Sequence, residues 1–165
     1  FMPMFGMNNG LIPIVAYNFG AGYKERIVKA MKSSMVVGVI IMAAGLLTAE
    51  IIPAPLLKVF NASGQMLVIG VPALRILSVS YVFAGVSIVG SGVFQGLGKG
   101  KYSLLLSVIR QLVVLIPMAY LLSLTGELTA VWFSFPIAEI VAFAIALFFL
   151  RRIMKNLDSM ILDRK

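Results

Sequence analysis

Residues 128–150 read LTAVWFSFPIAEIVAFAIALFFL, and this stretch decides the fold class. Glu139 is its single charged side chain, and every other polar residue in it is a small hydroxyl or the indole of Trp132. A helix that crosses the hydrocarbon core of a bilayer needs about 20 mostly apolar residues. The stretch therefore predicts a transmembrane helix.

Similar apolar runs lie upstream, at residues 33–49, which is slightly short, and at residues 67–94 and 103–122. A further apolar segment at residues 1–19 contains asparagines and prolines, and we interpret it as the remainder of a helix that begins outside the chain. None of the runs alternates polar and apolar residues as the strands of a membrane barrel do. The sequence predicts an all-α integral membrane protein with five transmembrane helices.

Composition supports the membrane class. Hydrophobic residues make up 61% of the chain and charged residues 12%, against roughly 45–50% and about 25% in soluble domains. The chain contains no cysteine and no histidine, so disulfides and Cys/His zinc sites are excluded and we expect no cofactor. The net charge of +8 comes from short basic clusters between apolar runs. This pattern indicates contact with anionic membrane lipid and not with nucleic acid.

Lysine and arginine alternate between the connections of the predicted helices. The first and third connections and the tail at residues 151–165 are basic, whereas the second and fourth connections contain only Lys58. Basic loops stay in the cytoplasm, so we predict a membrane domain at residues 1–150 and a basic cytoplasmic tail, in the cell membrane (inner or plasma membrane). The basic residues of these segments are Lys24, Arg26, Lys29 and Lys32, then Lys99 and Lys101, then Arg151, Arg152, Lys155, Arg164 and Lys165.

The tail also has an apolar side. Ile153, Met154, Leu157, Met160 and Ile161 recur at helical spacing. This pattern favours an amphipathic helix that lies on the inner membrane face, and a segment that binds a partner is the alternative.

Arg75, Arg110 and Glu139 lie inside predicted spans. Charge in a membrane is costly and is usually paired or functional. Arg110 lies about 10 Å and Glu139 about 16 Å from the cytoplasmic side, at 1.5 Å per residue, on consecutive antiparallel helices. We predict an ion pair between them, with proton exchange by Glu139 as the alternative. One buried carboxylate without a second acid, histidine or cysteine does not favour acid–base catalysis, and an enzyme is not expected.

Glycines mark the end of the run at residues 67–94 and its continuation. Gly92 and Gly96 form a GxxxG pattern. Small residues at this spacing let helix backbones approach closely in a membrane. The pattern predicts close helix packing at this position.

The sequence resembles the MATE family, the multidrug and toxic compound extrusion transporters. The likeness begins at a motif that ends the first helix, formed by Tyr17, Asn18, Phe19, Gly20 and Ala21 and followed by Arg26. It continues, in family order, through Leu74-Arg75-Ile76, Phe94-Gln95-Gly96-Leu97-Gly98-Lys99, Arg110-Gln111, Pro117, Val131-Trp132 and Pro136-Ile137-Ala138-Glu139.

The resemblance implies a twelve-helix transporter with two lobes, of which this chain is similar to helices 8–12. It implies export of small organic, often cationic compounds by antiport with Na+ or H+, together with an N-terminal lobe that this chain lacks, and it implies that the chain alone is inactive. Tyr81, Phe83 and Met118 are the substrate-cavity candidates. The motif at residues 17–26 is a candidate cytoplasmic hinge, in which Gly20 and Gly22 allow unusual backbone conformations.

One departure from the family pattern concerns the tenth helix. Some branches carry an acidic coupling residue there, and residues 67–94 contain none. This resembles branches such as the DinF-like one, whose coupling acid lies in the first helix. Two rival functions are a lipid-linked oligosaccharide flippase of the same superfamily, whose arginines would hold pyrophosphate, and a membrane subunit that transports nothing.

Overall fold

The computed structural model describes residues 1–162, and every regular element in this range is helical. Arg164 and Lys165, which the sequence analysis assigned to the basic tail, lie outside the described range. The helices, in chain order, are α1 (Met2–Gly20), α2 (Lys24–Ile51), α3 (Pro53–Val59), α4 (Gly64–Ser78), α5 (Tyr81–Gly96), α6 (Gly100–Val108), α7 (Ile116–Ser123), α8 (Leu128–Trp132), α9 (Ser134–Lys155) and α10 (Leu157–Leu162), and a π-helix at Ile109–Leu115 joins α6 to α7.

Three helical stretches in the described range are long and apolar enough to cross a membrane: Lys24–Ile51, Gly100–Ser123 and Leu128–Lys155. The bent pair α4 and α5 makes a fourth if it counts as one span. Large apolar side chains such as Val36, Ile40 and Leu47 of α2 point away from the protein, as hydrocarbon surroundings permit. α1 does not meet the same criterion because its asparagines and glycines lower its hydropathy, so the count of five stays a prediction.

The run at residues 67–94 is not one straight helix, which corrects the sequence prediction. α4 and α5 meet at an angle of 51°. The Ser78 hydroxyl donates to the Arg75 carbonyl at 2.8 Å and the Ser80 hydroxyl to the Leu77 carbonyl at 2.6 Å. Serine hydroxyls that bind nearby carbonyls compete with the helical hydrogen bonds and often bend helices. The break therefore has a local chemical cause in the two serines.

Other helix ends also differ from the predicted boundaries. α2 begins at Lys24, so much of the first basic connection is helical, and α9 continues to Lys155, past the predicted end of the membrane domain. Both changes have the same reason: lysine and arginine are good helix formers, so a helix continues into its basic flank after the apolar run stops.

α5 is the central helix of the bundle and packs against α1, α2 and α9. Gly92 and Gly96 lie where α5 meets α1. A Cβ atom at position 96 would lie 2.7 Å from Cβ of Val15 and 2.9 Å from the carbonyl oxygen of Ile12, both in α1. The close packing predicted for the GxxxG pattern is confirmed.

The π-helix interrupts the fourth predicted span, and the sequence analysis did not foresee it. The backbone N–H of Ile116 donates to the carbonyl of Gln111, five residues earlier. Pro117 follows at once, and because proline has no N–H it cannot donate to the carbonyl of Val113. A π-helix is rare and often lies at a functional site, and this one contains Arg110.

The tail folds back onto the protein. Leu157 is fully buried and Ile161 is 9% exposed, both within the hydrophobic core cluster that also contains Ile27 of α2. Lys24 forms an ion pair with Asp158. The apolar side of the tail thus contacts the protein at residues 157 and 161, and these two side chains do not lie on the membrane face as predicted.

Candidate functional site

A cavity of about 460 Å³ opens among α1, α5, α6, the π-helix and α9. We call it the polar groove because nine of its fourteen lining residues carry an amide, a hydroxyl or a charge, in an otherwise apolar bundle. Its polar lining residues are Asn8, Asn9, Ser87, Ser91, Gln95, Ser103, Ser107, Arg110 and Glu139.

The ion pair predicted from the sequence lies in this groove. Nη1 of Arg110, in the π-helix, donates to Oε1 of Glu139, in α9, at 3.2 Å. The two side chains are 31% and 15% exposed. Oε2 of Glu139 is buried and has no hydrogen-bond partner among the described residues. One carboxylate oxygen therefore accepts from the arginine, and the other is a buried acceptor without a partner among residues 1–162.

Hydroxyl and amide groups line the groove beside the pair. The hydroxyls of Ser91 and Ser103 share a hydrogen bond, and Nε2 of Gln95 donates to Oγ of Ser103 at 3.1 Å. Ser87, Ser91 and Gln95 follow one another at intervals of four residues, which places them on the same face of α5. The face therefore offers hydrogen-bonding groups along about two turns of helix.

Asn8 forms the wall of the groove at α1. Its Nδ2 donates to the carbonyl of Ile88 at 3.1 Å, whereas its buried Oδ1 has no partner among residues 1–162. The side chain fits because position 92 is glycine: a Cβ there would lie 2.0 Å from Oδ1 of Asn8. Asn8 joins α1 to α5 and leaves one buried oxygen unsatisfied beside the groove.

Only one glycine of the motif at the end of α1 has an unusual backbone conformation. Asn18 is buried and its Nδ2 donates to the carbonyl of Ile14 at 2.8 Å, whereas Tyr17 is 73% exposed. Gly20 is the last residue of α1, and a Cβ atom added at this position would have no atom within 4 Å. Gly22 alone adopts the left-handed conformation, with φ +77°. The backbone freedom that glycine allows is thus used at Gly22 and not at Gly20, and a hinge role for the motif stays a prediction.

The other two motif residues flank this turn. Ala21 has the ordinary right-handed conformation, with φ −82°. The guanidinium of Arg26 lies 4.8 Å from the centre of the Tyr23 ring, a cation–π geometry. Neither residue lines the polar groove.

The aromatic and thioether candidates lie outside the polar groove. The ring of Tyr81 packs edge-on against Phe1 with centroids 5.5 Å apart, and that of Phe83 packs against Phe143 at 5.4 Å. Met118 is half-buried in α7 and is likewise absent from the groove lining. Their role in substrate contact stays a prediction.

Arg75 has a partner that the sequence analysis missed. Its Nε lies 3.8 Å from Oε2 of Glu50, and its Nη2 donates to the Glu50 carbonyl at 3.4 Å. The single Ser78 hydroxyl proton is shared between the Arg75 carbonyl at 2.8 Å and Oε1 of the same glutamate at 3.1 Å. Glu50 lies at the end of α2, and α4, which contains Arg75, packs against α2. This contact was not predicted from the sequence.

The groove residues Asn8, Ser91, Gln95 and Ser103 were also missed as site residues. Ser87, Ser91 and Gln95 recur every four residues at the end of the apolar run at residues 67–94. This spacing is the sequence pattern that could have predicted the polar face of α5. No group of three or more His, Cys, Asp or Glu side chains that could hold a metal ion occurs in residues 1–162. Two buried oxygens of groove residues, Oε2 of Glu139 and Oδ1 of Asn8, have no hydrogen-bond partner among residues 1–162.

Known proteins show similarity over most of the chain. The MatE family model matches residues 1–121. The multidrug export protein MepA of Staphylococcus haemolyticus is 27% identical over 145 residues, which is 88% of this chain and 32% of MepA. MepA of Staphylococcus aureus strain MRSA252 is 25% identical over 138 residues, 82% of this chain and 30% of that protein. The chain thus spans about a third of the length of these relatives.

Solved transporter structures have the same arrangement of helices. The MATE multidrug transporter DinF-BH, in complex with R6G, superimposes with a TM-score of 0.86 at 34% identity, over 95% of this chain and 35% of that one. A MOP superfamily transporter from Pyrococcus furiosus, described as having a reversed binding-pocket polarity, gives a TM-score of 0.86 at 26% identity, over 94% of this chain and 35% of the other. Since the family model matches well over half of its residues, this chain belongs to the MATE family.

Proposed function

We propose that this chain is a C-terminal lobe fragment, resembling helices 8–12, of a two-lobe secondary transporter that exports small organic, often cationic compounds by antiport with Na+ or H+. The observation that carries the proposal is the polar groove with its ion pair of Arg110 and Glu139, enclosed by helices that are apolar on their outer faces. Ionisable side chains inside membrane helix bundles face the bundle interior or a cavity, pair with one another and mark substrate or ion paths. The N-terminal lobe supplies the opposite wall of the cavity.

The groove has the chemistry to bind a drug with a positive charge and a polar edge. Oε2 of Glu139 accepts from a cationic group while Arg110 holds Oε1. Gln95 and Ser103 offer hydrogen bonds to neutral polar groups of the substrate. Such a site contributes few directional contacts, which suits a transporter of chemically varied compounds.

We place the transporter in a DinF-like branch. The run at residues 67–94 contains no aspartate or glutamate, so a coupling acid of the tenth-helix kind is absent from that span. The 34% identity with DinF-BH agrees with this assignment. In this proposal the coupling acid belongs to the N-terminal lobe, and Glu139 contributes to substrate contact and folding.

The flippase alternative needs arginines that are available for a pyrophosphate. Arg110 contacts Glu139 at 3.2 Å and Arg75 lies 3.8 Å from Glu50. A lipid-linked pyrophosphate would have to displace a carboxylate from each arginine. The drug-export proposal is therefore favoured over the flippase, and a subunit without transport activity would have no use for the polar groove.

Export through the groove leads to a test at Gln95. In cells that express the complete two-lobe transporter we expect export of ethidium. Gln95→Ala should change the ratio of ethidium export to export of a second organic cation by roughly fivefold. This factor corresponds to the loss of one hydrogen bond of about 1 kcal/mol. Gln95 is exposed in the groove, so protein level should not fall. Fluorescent efflux and immunoblotting measure both quantities, and ionophores for Na+ or H+ identify the coupling ion.

Two further measurements accompany this one. The present 165 residues expressed alone should export nothing. Phe83→Ala should alter the drug profile more than the protein level, as predicted for the substrate-cavity candidates Tyr81, Phe83 and Met118. Loss of protein with an unchanged profile would instead support the packing of the Phe83 ring against Phe143. An unchanged profile in Gln95→Ala would remove the groove from the drug path.

Orientation can be tested with single cysteines, since the chain has no native one. Cysteines at the exposed positions Lys99 and Ser159 should be shielded from an impermeant thiol reagent in intact cells, and a cysteine at exposed Ser63 should react. The expected cause is the cytoplasmic retention of basic loops. Labelling at 99 and 159 with protection at 63 would reverse the proposed topology and the cytoplasmic location of the tail.

A further inference from the structure

The continuous helix made of α6, the π-helix and α7 turns one side toward the bundle over most of its length. Five side chains that are buried or half-buried on this side recur every four residues: Leu106, Arg110, Val114, Met118 and Leu122. An α-helix has 3.6 residues per turn, so each step of four residues rotates the side chain by about 40°. Four such steps add up to about 160°. These five residues could not share one side of a regular α-helix.

The π-helix at Ile109–Leu115 takes up this extra rotation. Its hydrogen bonds run over five residues, as from the N–H of Ile116 to the carbonyl of Gln111, so each turn holds more residues than an α-helical turn. The π-helix packs against α9, which contains Glu139. Arg110 is half-buried and lines the polar groove, whereas Gln111, the next residue, is exposed. The register of the π-helix therefore selects Arg110 as the partner of Glu139.

Pro117 provides a local reason for this register. In an α-helix the residue at position 117 would donate to the carbonyl of Val113, but proline has no N–H and its ring clashes with that carbonyl. Local π-helical turns are one way in which a membrane helix accommodates a proline and satisfies the freed backbone groups. Because π-helices are otherwise rare, a residue with an N–H at position 117 would favour the α-helical register.

A change to the α-helical register would move Arg110. The same stretch of helix would then hold one residue fewer. α7 packs against both α8 and α9, so α7 stays in place and the part of the helix before it rotates by one residue, about 100°. Gln111 would then occupy the position of Arg110, and Glu139 would lose its arginine.

We propose that Pro117 is a positioning residue: it maintains the π-helical register, and this register presents Arg110 to Glu139. Pro117 is exposed and is absent from the lining of the polar groove. Its effect on the ion pair therefore passes through the backbone of the π-helix. The inference rests on the ion pair that also supports the proposed function, and it does not depend on transport.

The test measures the effect of Glu139→Gln in three backgrounds of the complete transporter, as folded protein in the membrane. In the parent, the substitution should reduce folded protein several-fold. In Pro117→Ala it should cause no loss, because Arg110 has already turned away and Glu139 is an unpaired carboxylate. Deletion of Val113 in addition to Pro117→Ala should restore the several-fold loss. Removing one residue from the π-helix gives an α-helix whose two ends keep their orientation, and Val113 is 59% exposed, so no packed side chain is lost.

Pro72→Ala is the matched control, since Pro72 is an exposed proline inside the α-helix α4. In this background Glu139→Gln should cost as much as in the parent. If Pro117→Ala alone lowers folded protein too far for the comparison, recovery on deletion of Val113 supports the proposal and no recovery contradicts it.

Three results would overturn the positioning role. One is a loss from Glu139→Gln in Pro117→Ala that equals the loss in the parent. Another is no return of the loss after deletion of Val113, and the third is a control that behaves like Pro117→Ala. Drug export is not measured in these comparisons, so a failure of export would contradict the proposed function and leave this result unchanged.

Discussion

Glu139→Gln in the complete transporter is expected to reduce the amount of folded protein in the membrane several-fold. The substitution leaves the guanidinium of Arg110, which is 31% exposed, without its carboxylate partner at 3.2 Å. An unpaired arginine costs about 3 kcal/mol at the centre of a span on insertion scales, and less nearer the interface; removing one partner of a buried pair is also destabilising. Immunoblotting of membranes and size-exclusion chromatography of the solubilised protein measure the loss.

Arg110→Gln should have a similar effect for the converse reason, since Glu139 is only 15% exposed. The double variant should recover part of the folded protein because neither charge is then left unpaired, and the three variants form a double-mutant cycle for the pair. Glu127→Gln is the matched control: it makes the same chemical change at an exposed glutamate before α8. It should leave the protein level unchanged.

A different pattern would assign Glu139 another role. If Glu139→Gln folds normally but abolishes transport, and Arg110→Gln is harmless, the structural pair is wrong as the main role and proton exchange by Glu139 takes its place. Equal losses in both single variants without recovery in the double would mean that each side chain is required separately. Only recovery supports the pair.

Gly96→Ala is expected to destabilise the helix bundle by about 2 kcal/mol, as overpacking of a tight interface does. The added methyl group would lie 2.7 Å from Cβ of Val15 and 2.9 Å from the backbone oxygen of Ile12. Neither atom is the end of a flexible side chain, so α1 must move away from α5. The melting temperature of the purified complete transporter should fall by several degrees.

Gly92→Ala differs because the obstacle is a side chain. Its Cβ would lie 2.0 Å from Oδ1 of Asn8, so Asn8 must leave the Ile88 carbonyl, and Asn8→Ala should relieve part of the damage. Gly100→Ala is the control, since nothing lies within 4 Å of its would-be Cβ. A melting temperature that stays the same in Gly96→Ala, or falls as far in Gly100→Ala, would contradict close packing of α1 on α5.

The sequence alone determined that the chain is a bundle of membrane helices. This was possible because a helix satisfies its own backbone hydrogen bonds, so an apolar run of sufficient length specifies a span without help from the rest of the protein. The ion pair was also within reach of the sequence. Arg110 and Glu139 lie on consecutive helices joined by a short turn, and antiparallel neighbours of known rise place both charges at similar depths.

Tertiary structure decided what the sequence could not. The contact of Asn8 with Ile88 joins residues 80 apart and that of Lys24 with Asp158 joins residues 134 apart. Helical periodicity relates only residues a few positions apart, so it predicts neither of these contacts. The packing of α4 on α2 places Arg75 beside Glu50, and the packing of α1 on α5 forms one wall of the polar groove. Such sites depend on which helices become neighbours and at what angle they cross. In a membrane the lipid is as apolar as the side chains, so hydrophobicity does not select the neighbours of a helix. The fit of side chains between helices selects them.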